Sequence, residues 1–159
     1  MKNINHLLPG FEFPETVIQV SEEEQRHKLS CCDIDGSIYG NEVDITMLGL
    51  PTLEILMAAD VPVVGAVHLF QKFHQHSPFV LGEAIIVNGK IREVLPHERG
   101  CILSCEFRYT DLRGNVRVEA QRSGIVPVGA KAKSDENFRP SEQLDGFLYL
   151  VYLFNPQSF

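Results

Sequence analysis

Met47-Leu-Gly-Leu-Pro-Thr-Leu-Glu-Ile-Leu-Met-Ala-Ala-Asp60 decides how the rest of this chain is read. Pro51 suits the first turn of a helix, where its missing N–H is no loss, and Thr52 can help cap that turn. Leu53, Leu56 and Met57 recur at helical spacing, and Ala58 and Ala59 are small enough for a second surface to approach closely. The spacing predicts a short helix over about residues 51–59. Nearly every residue from Thr52 to Ala59 is apolar, the pattern of a helix covered on most sides. Glu54 is the exception: a lone carboxylate there reaches solvent, pairs with a partner, or takes part in chemistry.

Downstream the pattern changes from helix to strand. Val63–Phe73 is a first run, broken by Ser77-Pro78, with a turn at Leu81-Gly-Glu83. Ala84–Leu95 is a second, with Ile85, Val87 and Ile91 on one parity. Asn88-Gly89 inside it is a hairpin signal, but splitting there leaves two short arms, so one long strand with a bulge at Asn88-Gly89 is preferred. After a turn at Pro96–Gly100, Cys101, Leu103, Cys105, Phe107 and Tyr109 face one way while Ser104, Glu106 and Arg108 face the other. Asp111–Asn115 reads as a hairpin loop, and Val116–Val126 returns with Val116, Val118 and Ala120 inward. A short apolar helix wrapped by a curved antiparallel sheet, an α+β arrangement, accounts for this order.

Upstream, Leu8–Pro14 is an entry loop and Glu15–Val20 a short strand. Ser21-Glu-Glu-Glu24 combines an N-cap serine, a capping-box glutamate and acidic residues at the positive end of the helix dipole. The helix it starts runs to about Leu29 or Cys31. Asp33–Asn41, rich in Asp, Gly, Ser and Asn, is a loop by composition. The domain is expected to span residues 1–130, followed over 131–159 by a charged linker and the apolar stretch Phe147–Phe154. That stretch is apolar on both parities and is expected to pack on this fold or on a partner chain.

A chain of 159 residues is enough for one domain with a real core. The formal net charge of -7 and the lack of a Lys/Arg cluster argue against nucleic acid or an anionic membrane as the main partner. No apolar window reaches the roughly 18 residues of a membrane span, and the N-terminus lacks a signal-peptide core. A cytoplasmic setting is expected. There Cys31, Cys32, Cys101 and Cys105 should be free buried thiols. His74 and His76 share a strand face, but no third metal ligand stands at a recognisable spacing. No nucleotide loop, nucleophile elbow or zinc motif appears, so neither metal nor cofactor is expected.

The element order resembles a hotdog fold, and more narrowly the MaoC-like hydratase/dehydratase family. Pro9-Gly-Phe-Glu-Phe-Pro14 through Val20–Glu24 is similar to that family's entry strand and first helix. Leu50-Pro-Thr-Leu53 resembles the start of its central helix. His76-Ser-Pro-Phe-Val-Leu-Gly-Glu83 is similar to its Pro-x-x-x-Gly-Asp turn, with Glu83 in place of Asp, and Arg113–Glu119 resembles its final hairpin. The resemblance implies an acyl-thioester substrate, on coenzyme A or acyl carrier protein, and a homodimer or heterodimer formed edge to edge. It also implies an Asp followed five residues later by a His as the acid–base pair. Here Ile38 stands five residues after Asp33, and Gly40 five after Asp35. A second likeness is to the dehydratases with a Met-Pro-Gly-x-x-x-x-Glu pattern on the central helix, which Met47, Gly49 and Glu54 match. Those enzymes also need a histidine, for which His68, His74 and His76 are candidates.

The catalytic candidates are therefore Glu54, Asp33, Asp35, Tyr39 and His68, with Asn41, Pro51 and Thr52 as substrate-binding candidates. Tyr39 could donate a hydrogen bond to a thioester carbonyl, and His68 could serve as a base. Each also has a structural reading: Glu54 as a helix-end or dimer-seam carboxylate, the loop residues as turn formers, Tyr39 and His68 as packed side chains. The expected activity is dehydration of a 3-hydroxyacyl group or hydration of an enoyl group. A thioesterase and a catalytically silent hotdog subunit are the alternatives.

Overall fold

A five-stranded antiparallel sheet carries the chain's second half, in the order β1-β3-β4-β5-β2. Its strands are β1 (Thr16–Gln19), β2 (Val67–Gln75), β3 (Ala84–His97), β4 (Gly100–Thr110) and β5 (Val116–Val126). Helix α1 (Glu22–Cys31) and helix α2 (Gly49–Ala58) lie between β1 and β2 in sequence, separated by two 3-10 turns at Gly36–Tyr39 and Ile45–Leu48. This computed structural model describes residues 7–127. The expected linker and apolar stretch of residues 131–159 lie outside the described residues.

The sheet is curved, and α2 packs on it through Leu48, Ile55 and Leu56 in one cluster with Ile85, Val87, Leu103, Phe107 and Val118. The alternation read in β4 holds: Cys101, Leu103, Cys105, Phe107 and Tyr109 are all buried. Helix α1 starts on the predicted box, with the Ser21 side chain accepting from the Glu24 N–H and the Glu24 side chain accepting from the Ser21 N–H.

Several expectations are corrected. First, β3 is one strand, but its irregularity lies between Ile91 and Glu93, not at Asn88-Gly89. The extra residue switches parity, so Val94 packs toward the core while Leu95 is exposed. Gly89 has another purpose: a Cβ there would sit 2.3 Å from Phe107 Cδ1, whose ring stacks on Phe13 with centroids 5.8 Å apart. Second, Val116 is 38% exposed, because the register shifts between Tyr109 and Thr110 at the hairpin end. Third, β2 begins at Val67 instead of Val63, after a turn through Val64 and Gly65 in which the Ala66 N–H donates to the Val63 carbonyl. Fourth, Cys101 and Cys105 are buried free thiols, but Cys31 and Cys32 are exposed at the end of α1.

Helix α2 starts two residues earlier than the spacing predicted. Leu48 is its N-cap, with no side-chain cap, because the preceding 3-10 turn feeds straight into it. Thr52 therefore does not cap: its hydroxyl donates back to the Gly49 carbonyl at 2.7 Å. Nor is the helix covered on most sides within this chain. Thr52, Ile55 and Leu56 are buried, whereas Leu50, Leu53 and Met57, on the opposite face, are half-buried.

Candidate functional site

The loop before α2 is held from behind by α1. Asp44 is buried; its N–H donates to Gln25 Oε1 at 2.8 Å, while its carboxylate accepts from the Thr46 N–H at 2.9 Å and the Thr46 hydroxyl at 2.8 Å. Gln25 Nε2 donates to the Glu42 carbonyl, and Lys28 Nζ donates to Thr46 Oγ1 at 2.7 Å. Burial brings the Lys28 ammonium down to about 8, with Asp44 opposing the shift. This network fixes where Asn41–Leu48 enters the helix, a local consequence of placing one buried carboxylate opposite a polar stripe of α1.

On the outer side of that network the expected loop residues face water. Asp33 is exposed, with a φ of +55°. Asp35 is exposed and accepts from the Ser37 N–H at 2.9 Å, a hydrogen bond that holds its carboxyl below the usual carboxylate range. Tyr39 is half-buried, and burial, with Asp44 nearby, pushes its phenol up. Asn41 is exposed, and its backbone carbonyl accepts from the Leu81 N–H. Ile38, where the resemblance would put a histidine, is 70% exposed.

Polar groups meet instead under the first turn of α2. Arg122 of β5 donates to Thr52 Oγ1 at 2.9 Å. The Gln71 amide of β2, register partner of Arg122, lies against Gly49: a Cβ there would be 3.4 Å from Gln71 Nε2. Tyr109 of β4, fully buried, donates to the Leu48 carbonyl at 2.6 Å. Cys105 pairs with Arg122 across β4 and β5. His68 of β2 is half-buried and brought down to about 4, by burial first and then by the Arg122 cation. Burial pushes the Cys105 thiol up to about 12, and it holds Arg122 itself below the usual guanidinium value.

Of the sequence-derived candidates, the structure brings Thr52 and His68 into this cluster. Glu54 is exposed on the open face of α2, and Pro51 is half-buried in its first turn. Among the described residues, no hydrogen bond joins any two of Glu54, Asp33, Asp35, Tyr39 and His68. Arg122 and Gln71 were missed, since a charge and an amide on strands otherwise read by parity look like outward residues. The signal available was positional: Arg122 shares parity with the buried Val118 and Ala120.

Two other motifs have structural roles. Glu83 forms a two-oxygen ion pair with Arg117 Nη1 at 2.8 and 3.0 Å, accepts from the Val80 N–H, and so closes the turn before β3. Arg117 also lies over the Phe79 ring and donates to Ser77 Oγ and the Pro78 carbonyl. The His74 and His76 rings are 4.5 Å apart, and His76 Nε2 is 3.3 Å from Glu119 Oε2. Among the described residues no group of three His, Cys, Asp or Glu side chains could hold a metal, and no helix is long and apolar enough to cross a membrane.

Neither a family model nor a curated protein matches the sequence. Solved structures do match the fold. An (R)-hydratase from A. caviae involved in PHA biosynthesis superposes with a TM-score of 0.59 at 14% identity, over 77% of this chain and 99% of its own. The HadBC (3R-hydroxyacyl-ACP dehydratase) complex from Mycobacterium tuberculosis does so at 0.60 and 18%, over 73% and 95%. A MaoC-like dehydratase from Rhodospirillum rubrum gives 0.59 and 14%, over 79% and 97%. The chain has the hotdog fold, in the form these hydratases and dehydratases take.

Proposed function

We propose that this protein acts on acyl thioesters, as a hydratase or dehydratase of enoyl and 3-hydroxyacyl groups carried on coenzyme A or acyl carrier protein. The observation that carries the reading is α2: a helix apolar nearly all round that its own sheet covers on one face. Leu50, Leu53 and Met57 remain half-buried, and an acyl chain along them would remove apolar surface from water at roughly 25 cal/mol per Å². Glu54 projects from the same helical face, four residues beyond Leu50 and one beyond Leu53. We assign to it removal of a proton from the water that adds at the β-carbon and delivery of a proton to the α-carbon, with Asp33, Asp35, Tyr39 and Asn41 on the loop leading into the helix.

The acyl face is completed by a second hotdog subunit, a copy of this chain or a relative. Support comes from β2, one of the two edge strands of the sheet, which carries exposed Leu69 and Phe70. The HadBC neighbour is, by its description, a complex.

The test is hydration of crotonyl-CoA and longer enoyl thioesters, with release of free thiol read in the same reaction. Hydration without thiol release, lowered at least about a hundredfold by Glu54→Gln with substrate binding retained, is the expected result. Thiol release instead identifies a thioesterase. Absence of both, across chain lengths, refutes the enzymatic reading. One specific observation favours a silent subunit: no histidine stands five residues after either loop aspartate, Ile38 following Asp33 and Gly40 following Asp35. Turnover of an assembly with a partner subunit that survives alanine at Glu54, Asp33, Asp35, Tyr39 and His68 of this chain in turn would establish it.

A further inference from the structure

Donors outnumber acceptors under the first turn of α2. Arg122 is half-buried and brings five N–H groups, of which one direction is used, on Thr52. No carboxylate among the described residues pairs with it. Gln71 Nε2 is buried with no hydrogen-bond partner. The nearby acceptors are taken: the Gly49 carbonyl by the Thr52 hydroxyl, and the Leu48 carbonyl by the Tyr109 hydroxyl. A buried amide donor left unmade and an interior cation without a counter-charge both oppose folding. Such an arrangement persists where a ligand supplies what is missing, and what is missing is acceptor-only and negative.

We infer that Arg122 and Gln71, with Thr52 anchoring the guanidinium, form a carboxylate-binding site on the sheet-facing side of α2, so that an acyl group whose distal end passes around the start of the helix from the Leu50 face carries an acid beyond its thioester. The planar guanidinium suits a carboxylate, which can accept from two of its N–H groups at once while its second oxygen reaches the Gln71 amide. Gln71 and Arg122 are register partners on adjacent strands, so both donors sit on rigid backbone at one level of the sheet. The carboxylate site stands on these donors alone. Its assignment to an acyl substrate rests on the acyl-thioester reading above, and the two are separable by experiment.

Full-length protein is first followed by thermal unfolding in butyrate and in butyramide, probes of similar size that differ in charge. It is then titrated calorimetrically with glutaryl-CoA and valeryl-CoA, which have equal chain length with and without the distal acid. Butyrate is expected to raise the melting temperature and butyramide not to, with the response lost in Arg122→Gln and reduced in Gln71→Leu. Glutaryl-CoA is expected to bind roughly tenfold or more tighter than valeryl-CoA, the effect of a charge-assisted hydrogen bond, with the advantage lost in the same variants. If Arg122→Gln does not fold, Gln71→Leu decides: an undiminished butyrate response in it overturns the site. Equal responses to butyrate and butyramide, or none to either, also overturn it. Equal binding of the two thioesters refutes the acidic acyl group while the thioester reading survives. A butyrate response without binding of either thioester upholds the carboxylate site and removes the thioester reading.

Discussion

Replacing His68 by glutamine should make the fold's stability less sensitive to acid, by an amount that follows from where the ring sits. The His68 imidazole ordinarily titrates near 6.5 and is brought down to about 4 in the folded chain, by burial and by the Arg122 cation. A depressed value means that the folded state resists the proton that the unfolded chain accepts. Stability is therefore complete above about pH 6.5 and is lost as pH falls toward about 4. Between pH 7 and pH 5, linkage for a shift of this size gives a loss of roughly 2 kcal/mol. The ring is only half-buried, and screening by solvent reduces that to about 1 kcal/mol. Urea unfolding of wild type and His68→Gln at both pH values isolates it. Wild type should lose about 1 kcal/mol more than the variant on going from pH 7 to pH 5, with unchanged denaturant slopes. Equal losses in the two proteins would refute the burial of the His68 ring beside Arg122.

Gly89→Ala should destabilise the fold by about 2 kcal/mol or more, since the added methyl meets Phe107 at 2.3 Å in a ring stacked on Phe13. Thermal unfolding measures this, and Phe107→Leu in the same chain should recover part of the loss. Tyr109→Phe should cost about 0.5–1.5 kcal/mol in urea unfolding, because it removes the hydrogen bond from the buried hydroxyl to the Leu48 carbonyl. A chromogenic thiol reagent at pH 8 should modify Cys31 and Cys32 in the native protein and reach Cys101 and Cys105 only after unfolding. Rapid reaction of all four native thiols would contradict the burial of β4, where Cys105 is pushed up to about 12.

The residues of the candidate site were unequally legible in the sequence. Asp33 and Asp35 stood out in the sequence because carboxylates in a glycine-rich loop are conspicuous, yet short range suffices to explain Asp35, which caps its own turn through Ser37. Asp44 was passed over, although it holds the loop to α1 through Gln25, Thr46 and Lys28. Its partner on α1, Gln25, lies 19 residues away, beyond the reach of any local pattern.

Local chemistry determined the elements. The capping box at Ser21 and Glu24, the period-two run of Cys101–Tyr109, the Asp111–Asn115 turn and the apolar stretch around Leu53–Met57 each carry their signal within a few residues, and together they specified a curved antiparallel sheet on a short helix. Tertiary structure alone decided what depends on register and on facing surfaces. The bulge after Ile91 could not be located because both parities of β3 contain apolar residues. Which face of α2 is covered depends on sheet curvature, not on a helix that is apolar nearly all round. The meeting of Arg122, Gln71, Thr52 and Tyr109 joins three strands to one helix turn, and only the pairing of β5 with both β2 and β4 brings those side chains together.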